Sequence, residues 1–350
     1  MKRFFKLSII FVLMLSTIIC LGGCNMFEPA QKSNNPTTPQ EPATTTVNYV
    51  SLGDSIPNGE SLDKYDDKDE FGFVEGSYAY AYRAHLQENY DEVNAVSYAV
   101  SGQTSTQLLD NINSISGTEL TPEEQSVKED IVGADIITIC IGANDILGPA
   151  SAKLLEFLAG STDITDDLNA GLVTFSTNFP QIVSKLEQLN PTAKLVFSNV
   201  YNPYKEYMDK DSDISINYGP YPVTSISKDR IQLMGAITEE YVDSNATNAN
   251  VTDIAKGLNQ IIAENVNGKD NCALLDVKQA FDNYFGRELQ AGEKKYDVVQ
   301  TDVTVESIPV TGTSLDAIKP EVMPYMDPHP TVKGHGLIAE LLLAWHNSLS

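Results

Sequence analysis

Val47-Asn48-Tyr49-Val50-Ser51-Leu52-Gly53-Asp54-Ser55 is a short, mostly apolar run that ends in a glycine and two small polar residues. Its length and apolar content suit a strand buried on both faces, and the glycine suits a sharp turn at its end. Four further runs have the same character: Val93–Tyr98, Asp135–Ile141, Lys194–Val200 and Cys272–Val277. Helical patterns lie between them. Leu168, Leu172, Phe175, Phe179, Ile182, Leu186 and Leu189 recur at helical spacing, with Pro180 expected to kink or divide the helix. Ile254, Leu258, Ile261 and Ile262 form a second apolar face, and Leu337, Ile338, Leu341, Leu342 and Trp345 a third.

Strands alternating with helices predict right-handed crossovers and a three-layer α/β/α sandwich with a five-stranded parallel sheet of order 2-1-3-4-5. Sites in such sheets form beyond the carboxyl ends of the strands, at the switch point. Ser55 follows the first strand, Gly102 the second and Asn144 the third, so all three fall at one edge. Residues 201–229 and 286–326 fit no regular element and are expected to roof that edge.

Ser55 supplies a hydroxyl nucleophile, with Gly53 allowing the turn that presents it. Gly102 offers a backbone N–H with no side chain in the way. Asn144, in Gly142-Ala143-Asn144-Asp145, offers a side-chain amide. Donors of this kind lower an acyl-transfer barrier by roughly 3–4 kcal/mol each. Of four histidines, His85 reads as structural, His346 as exposed, and His335 as a hydrogen-bonding residue of the last helix. His329, in Asp327-Pro328-His329-Pro330, reads as the general base, and Asp327 or a backbone carbonyl orients its ring. Asp54 and Asp145 are expected to position the neighbouring loops.

These pieces resemble the four blocks of the SGNH (GDSL) hydrolase family, met in the family's order as Ser55, Gly102, Asn144 and His329, over roughly residues 47–346. The resemblance implies a flavodoxin-like sandwich and a metal-independent serine hydrolase acting on esters, without a cofactor. The oxyanion hole would comprise Ser55, Gly102 and Asn144. Two departures stand out. Ile56 replaces the usual Leu, and Asp327 lies two residues before His329 where the family has three, Met326 taking that place. The sequence lacks Gly-x-Ser-x-Gly at Ser55, which speaks against an α/β-hydrolase elbow. Gly334-His335-Gly336 opens a loose dinucleotide pattern, but no strand can follow it to complete a βαβ unit.

At the N-terminus Lys2, Arg3 and Lys6 precede an apolar run from Leu7 to Leu21, as in a secretory signal. Leu21-Gly22-Gly23-Cys24 resembles the bacterial lipobox, which implies residues 1–23 as signal peptide and a lipid chain such as palmitate on Cys24. Residues 24–46 are rich in Pro, Thr, Gln and Asn, a tether composition, and 47–350 form the hydrolase domain. The expected location is the outer face of the bacterial cell membrane. With 48 acidic and 23 basic residues the chain has a formal charge of −25, which disfavours nucleic-acid binding. The acidic run from Asp63 to Glu70 lacks the Gly and Glu of an EF-hand loop and reads as solvated. No metal site is expected, and Cys140 and Cys272 are expected as buried free thiols.

Partners follow from the same reading: a lipid ester or an acylated glycan as substrate. Tyr201, Tyr204, Tyr218, Tyr221 and Tyr325 could serve as glycan platforms or equally as a wall of the site. A non-catalytic lipoprotein that binds glycan or lipid is the reading from outside the enzymes.

Overall fold

Five strands, β1 (Thr46–Gly53), β2 (Glu92–Ser97), β3 (Ile136–Cys140), β4 (Lys194–Ser198) and a later one at Cys272–Leu275, pair in parallel in the spatial order 2-1-3-4-5. This is the expected sheet. β1 lies centrally, with Val50 beside Val96 of β2 and Ile137 of β3. The computed structural model describes residues 45–349 except 152, 154–156, 158–159, 161, 217–223, 244–255, 301–302 and 309–320. Residues 44–350 form one unit. The expected signal peptide, Cys24 and nearly all of the tether lie outside the described residues, as do Ile254, Tyr218 and Tyr221.

Strand side chains alternate between two faces, and both faces are apolar. Val50, Leu52, Ile137, Ile139, Leu195 and Phe197 join one core. It is completed by α2 (Ser105–Ile115), α3 (Pro122–Gly133), α5 (Thr165–Leu189), α7 (Lys228–Val242) and α8 (Leu258–Val266). Val47, Tyr49, Ile136, Cys140 and Val196 join the other, with α1 (Tyr78–Asn89), α9 (Val277–Phe285) and α10 (Val332–Asn347). Each buried large side chain contributes roughly 1.5–3 kcal/mol. Two-sided burial is why these strands read as near-continuous apolar runs. Two further helices among the described residues are α4 (Ala143–Ser151) and α6 (Lys205–Met208).

Four details differ from the sequence-based expectations. α5 runs unbroken through Pro180, because Phe175, Phe179, Ile182, Val183 and Leu186 are all buried and their packing outweighs the lost backbone bond. The stretches read as irregular contain two antiparallel hairpins: β5 (Ile214–Ile216) with β6 (Thr224–Ile226), and β8 (Val303–Ile308) with β9 (Glu321–Met326). This makes Cys272–Leu275 strand β7 of the whole chain. Pro324 obscures β9, since proline cannot donate within a ladder, but a two-stranded hairpin leaves one side unpaired and tolerates it. Cys140 is a buried thiol, whereas Cys272, on the edge strand, is only half-buried; both are free. His346 is half-buried, with Tyr82 Oη 2.8 Å from its Nδ1, because the last turn of α10 packs on α1.

The junction of α5 and β4 depends on one amide. Asn190 is buried; its Nδ2 donates to the carbonyls of Ile131, Val132 and Ala134 at the end of α3, while its Oδ1 accepts from the N–H groups of Thr192 and Ala193. Removing it strands several buried backbone groups. Asn190→Ala should lower the unfolding free energy by roughly 2–4 kcal/mol in urea titration; a loss below about 1 kcal/mol would show that the amide is not a structural tie.

Candidate active site

β1 ends where the chain crosses the end of β3. Gly53 has φ +127°, and a Cβ there would sit 1.9 Å from the Cys140 carbonyl oxygen. The next N–H, of Asp54, donates to that same oxygen at 3.0 Å. Asp54 is directed inward and buried, its Oδ1 accepting from the Ile56 N–H at 3.1 Å while its Oδ2 has no partner. Ser55 follows at the wall of a cavity of about 420 Å³, in a series of turns rather than a regular helix.

β2 delivers Gly102, which also lines the cavity. Nothing lies within 4 Å of a Cβ built there, so φ +76° rather than crowding is what calls for glycine. Thr104 then caps α2 in a capping box with Gln107. β3 delivers Asn144 in the first turn of α4, where its Nδ2 donates one hydrogen to the Gln103 carbonyl at 3.1 Å. The neighbouring Asp145 accepts from both the N–H (2.8 Å) and the Oγ (2.5 Å) of Ser105. The starts of α2 and α4 are thereby joined, and burial raises the Asp145 carboxyl against those bonds.

His329 arrives from the loop before α10 and is buried. Its Nδ1 lies 2.6 Å from Asp327 Oδ1, which also accepts the His329 backbone N–H at 3.0 Å. The two-residue spacing therefore serves: one carboxylate oxygen closes a tight turn and holds the ring. Burial works to raise the Asp327 carboxyl, yet the hydrogen bonds from His329 and Ser61 hold it below its ordinary value. The loop is pinned further by Tyr201 Oη, which donates to the Pro328 carbonyl at 2.6 Å, and by Gln300 N–H to the His329 carbonyl at 2.8 Å. With Nδ1 turned to a carboxylate, Nε2 is the ring nitrogen on the side away from Asp327.

Two residues that sequence reasoning missed sit beside this ring. Glu60 Oε2 lies 3.5 Å from His329 Nε2, and Ser61 Oγ lies 3.2 Å from Nδ1. Ser61 is, among the described residues, the one non-glycine with positive φ, at 66°. No motif signals either residue; a run of turns after Ser55 carries them there. Nearby, Asn58 Nδ2 donates to Ser101 Oγ and Asp69 pairs with Arg83 of α1, while most of the charged run from Asp63 to Glu70 is exposed, as expected of a solvated stretch. The other histidines lie elsewhere. His335 is buried, accepts the Tyr78 N–H, and is pushed down to about 3 by burial and by His329, which keeps it neutral. His85 belongs to α1 and meets His346 edge-on.

The structure thus brings Ser55, Gly102, Asn144 and His329 to one cavity and sets Asp327 behind the histidine. The chemical content is a hydroxyl, hydrogen-bond donors and a carboxylate-held imidazole. Among the described residues no group of three or more His, Cys, Asp or Glu could hold a metal ion. Tyr201 and Tyr204 are buried wall residues, Tyr201 stacked on Phe281 and Tyr204 on Tyr207, so neither is an open platform.

The model of a family described as GDSL-like Lipase/Acylhydrolase matches residues 51–337. Among curated proteins the chain is similar to the uncharacterized protein YpmR of Bacillus subtilis (strain 168), 24% identical over 210 residues that cover 59% of this chain and 71% of that one. Among solved structures it is similar to an extracellular lipase from Streptomyces rimosus, at 16% identity and TM-score 0.46, covering 85% of this chain and 99% of that one. It is also similar to the lipase Lip_vut3 from a goat rumen metagenome, at 15% identity and TM-score 0.45, covering 85% and 96%. A mutant of Axe2, an acetylxylan esterase from Geobacillus stearothermophilus, is similar at 14% identity and TM-score 0.44, covering 86% and 93%.

Burial pushes the Asp54 carboxyl up from 3.8 to about 7; Asp145 and Glu60 add to the rise, while the Ile56 N–H and His329 oppose it. The folded state keeps this proton where the unfolded chain loses it. The resulting stability is full below the unfolded value and is lost as pH rises through the folded one. Asp54→Asn cannot ionise and keeps an oxygen for Ile56. Between about pH 4 and pH 8 the wild type should lose roughly 2–4 kcal/mol relative to this variant in denaturant titrations; parallel pH profiles would refute the assignment.

Proposed function

The chain belongs to the GDSL-like lipase/acylhydrolase family, and from that premise we propose that it hydrolyses carboxylic esters through an acyl-enzyme on Ser55. His329 Nε2 takes the Ser55 proton as Oγ attacks the ester carbonyl carbon. The carbonyl oxygen becomes an oxyanion, held by the N–H groups of Ser55 and Gly102 and by Asn144 Nδ2. That amide has two hydrogens and gives one to Gln103, so the other is available. The tetrahedral species collapses, and the imidazolium gives its proton to the departing alkoxide. Water then attacks the acyl-enzyme, with His329 as base, and releases the acid. The sequence of steps draws on no metal or cofactor.

The observation that carries this reading is the Asp327–His329 pair at 2.6 Å, with His329 on the wall of the same cavity as Ser55. The negative charge beside Nδ1 stabilises the imidazolium formed during the reaction and fixes which nitrogen faces the cavity. A carbohydrate esterase of the same fold remains compatible with the chemistry, but the burial of Tyr201 and Tyr204 removes two of its platforms. A binding lipoprotein without turnover gives no reason for a carboxylate-held histidine on the same cavity wall as Ser55.

A fluorophosphonate probe should label Ser55, with the label lost in His329→Ala. Ser55→Ala should abolish ester hydrolysis without unfolding the protein, and Asn144→Ala should lower kcat by roughly 10²–10³. Activity retained in folded Ser55→Ala would overturn the mechanism. We further propose that Cys24 carries the lipid that tethers the domain to the outer membrane face, on the strength of Leu21-Gly22-Gly23-Cys24. The protein should partition into the detergent phase of Triton X-114, and Cys24→Ala should move to the aqueous phase; no difference between the two would rule the anchor out.

A further inference from the structure

The cavity beside Ser55 is much larger than the reacting groups need. Its polar members, Ser55, Glu60, Ser101, Gly102, Asn144 and His329, come from the loops at the strand ends. The rest of its lining is mainly apolar and comes from the helical layer. Leu168 of α5, Met234, Ile237 and Tyr241 of α7, Leu258 of α8, and Phe157 all border it while being nearly inaccessible to water. Protein interiors close such space, because a void forfeits the contacts its lining would otherwise make.

Three of the hydroxyls in that lining are already engaged. Tyr241 Oη donates to Asn169 Oδ1 at 2.8 Å, Thr238 Oγ1 to the Met234 carbonyl at 2.9 Å, and Tyr201 Oη to the Pro328 carbonyl. These groups have no hydrogen left with which to recognise a sugar hydroxyl. An apolar cavity of about 150 Å³ stays dry and takes up the six carbons of benzene. On that scale about 420 Å³, less the room for the ester group itself, holds a chain of roughly eight to fourteen carbons.

We infer that this cavity is an acyl-chain pocket and that the substrate is a medium-chain fatty acyl ester, its tail among α5, α7 and α8 and its alcohol portion at the polar mouth. The inference rests on the proposed esterase reading and narrows it. Acetyl groups would leave the pocket unfilled, and each methylene added up to its length removes more apolar surface from water in the acyl-enzyme.

The test is a chain-length series of p-nitrophenyl esters, from acetate to palmitate, hydrolysed by the full chain. kcat/KM should rise at least tenfold from acetate to a maximum between eight and fourteen carbons. Met234→Trp, which fills the pocket, should move that maximum to shorter chains; Ile237→Phe is the milder filler if the first variant fails to fold by circular dichroism. Acetate as the best substrate, with the probe still on Ser55, would overturn the acyl pocket and leave the esterase reading intact. An unmoved maximum in a folded, filled variant would also overturn it. If no ester is cleaved and Ser55 is not labelled, the esterase reading falls and takes the inference with it.

Discussion

No side chain fits between residue 53 and the carbonyl of Cys140, and the organisation of the carboxyl edge follows from that contact. The central strand must turn where it passes the end of β3, so Asp54 goes into the protein and Ser55 reaches the cavity wall. The neighbouring loops are held in turn by bonds between them: Asn144 to the Gln103 carbonyl, Asp145 to Ser105, and Tyr201 to the Pro328 carbonyl. Each tie joins a segment after one strand to a segment from elsewhere in the chain. The site is positioned by backbone geometry and short polar bridges rather than by a packed cluster of its own.

Asp54, Asp145 and Asp327 are buried or half-buried carboxylates at this edge, and their partners decide their fates. Desolvation favours the neutral acid in all three. Asp54 has one hydrogen bond, from a backbone N–H, and the more distant His329 against it, and burial wins by a wide margin. Asp145 has two donors from Ser105, and burial still wins. Asp327 has a ring nitrogen, a hydroxyl and a backbone N–H, and there the hydrogen bonds win. The carboxylate that stays ionised most readily is therefore the one behind His329, where a negative charge is useful to a base. A comparable balance holds farther out, where Lys278, Lys205 and Asn202 keep the buried Glu239 below its ordinary value and brace the loop after β4.

The sheet was legible because its strands are buried on both faces and leave long apolar runs with few competitors. Ser55, Gly102 and Asn144 were legible because glycine and asparagine punctuate the strand ends. Asp327 was legible as a candidate, but only the turn at Pro328 shows how a two-residue spacing reaches Nδ1. Glu60 and Ser61 left no trace, since successive turns rather than a periodic element bring them to the ring. The large apolar part of the cavity was equally silent. Met234, Ile237 and Tyr241 recur at helical spacing whether they face a neighbour or a void, so periodicity cannot tell a packed wall from an open one.

The order of the sheet has a consequence for how the molecule comes into being. None of its strand pairs is a hairpin: Val50 meets Val96, Tyr49 meets Ile136, and Leu195 meets Cys272. Every pairing closes a long loop before it is rewarded, a topology associated with slow folding and high contact order. The candidate groups run from residue 55 to residue 329, and His329 is held by Ser61 at its ring and by Gln300 at its backbone carbonyl. A chain still emerging from synthesis cannot assemble them in part. Turnover would thus begin only when the last helix docks, which makes activity itself a reporter of complete folding.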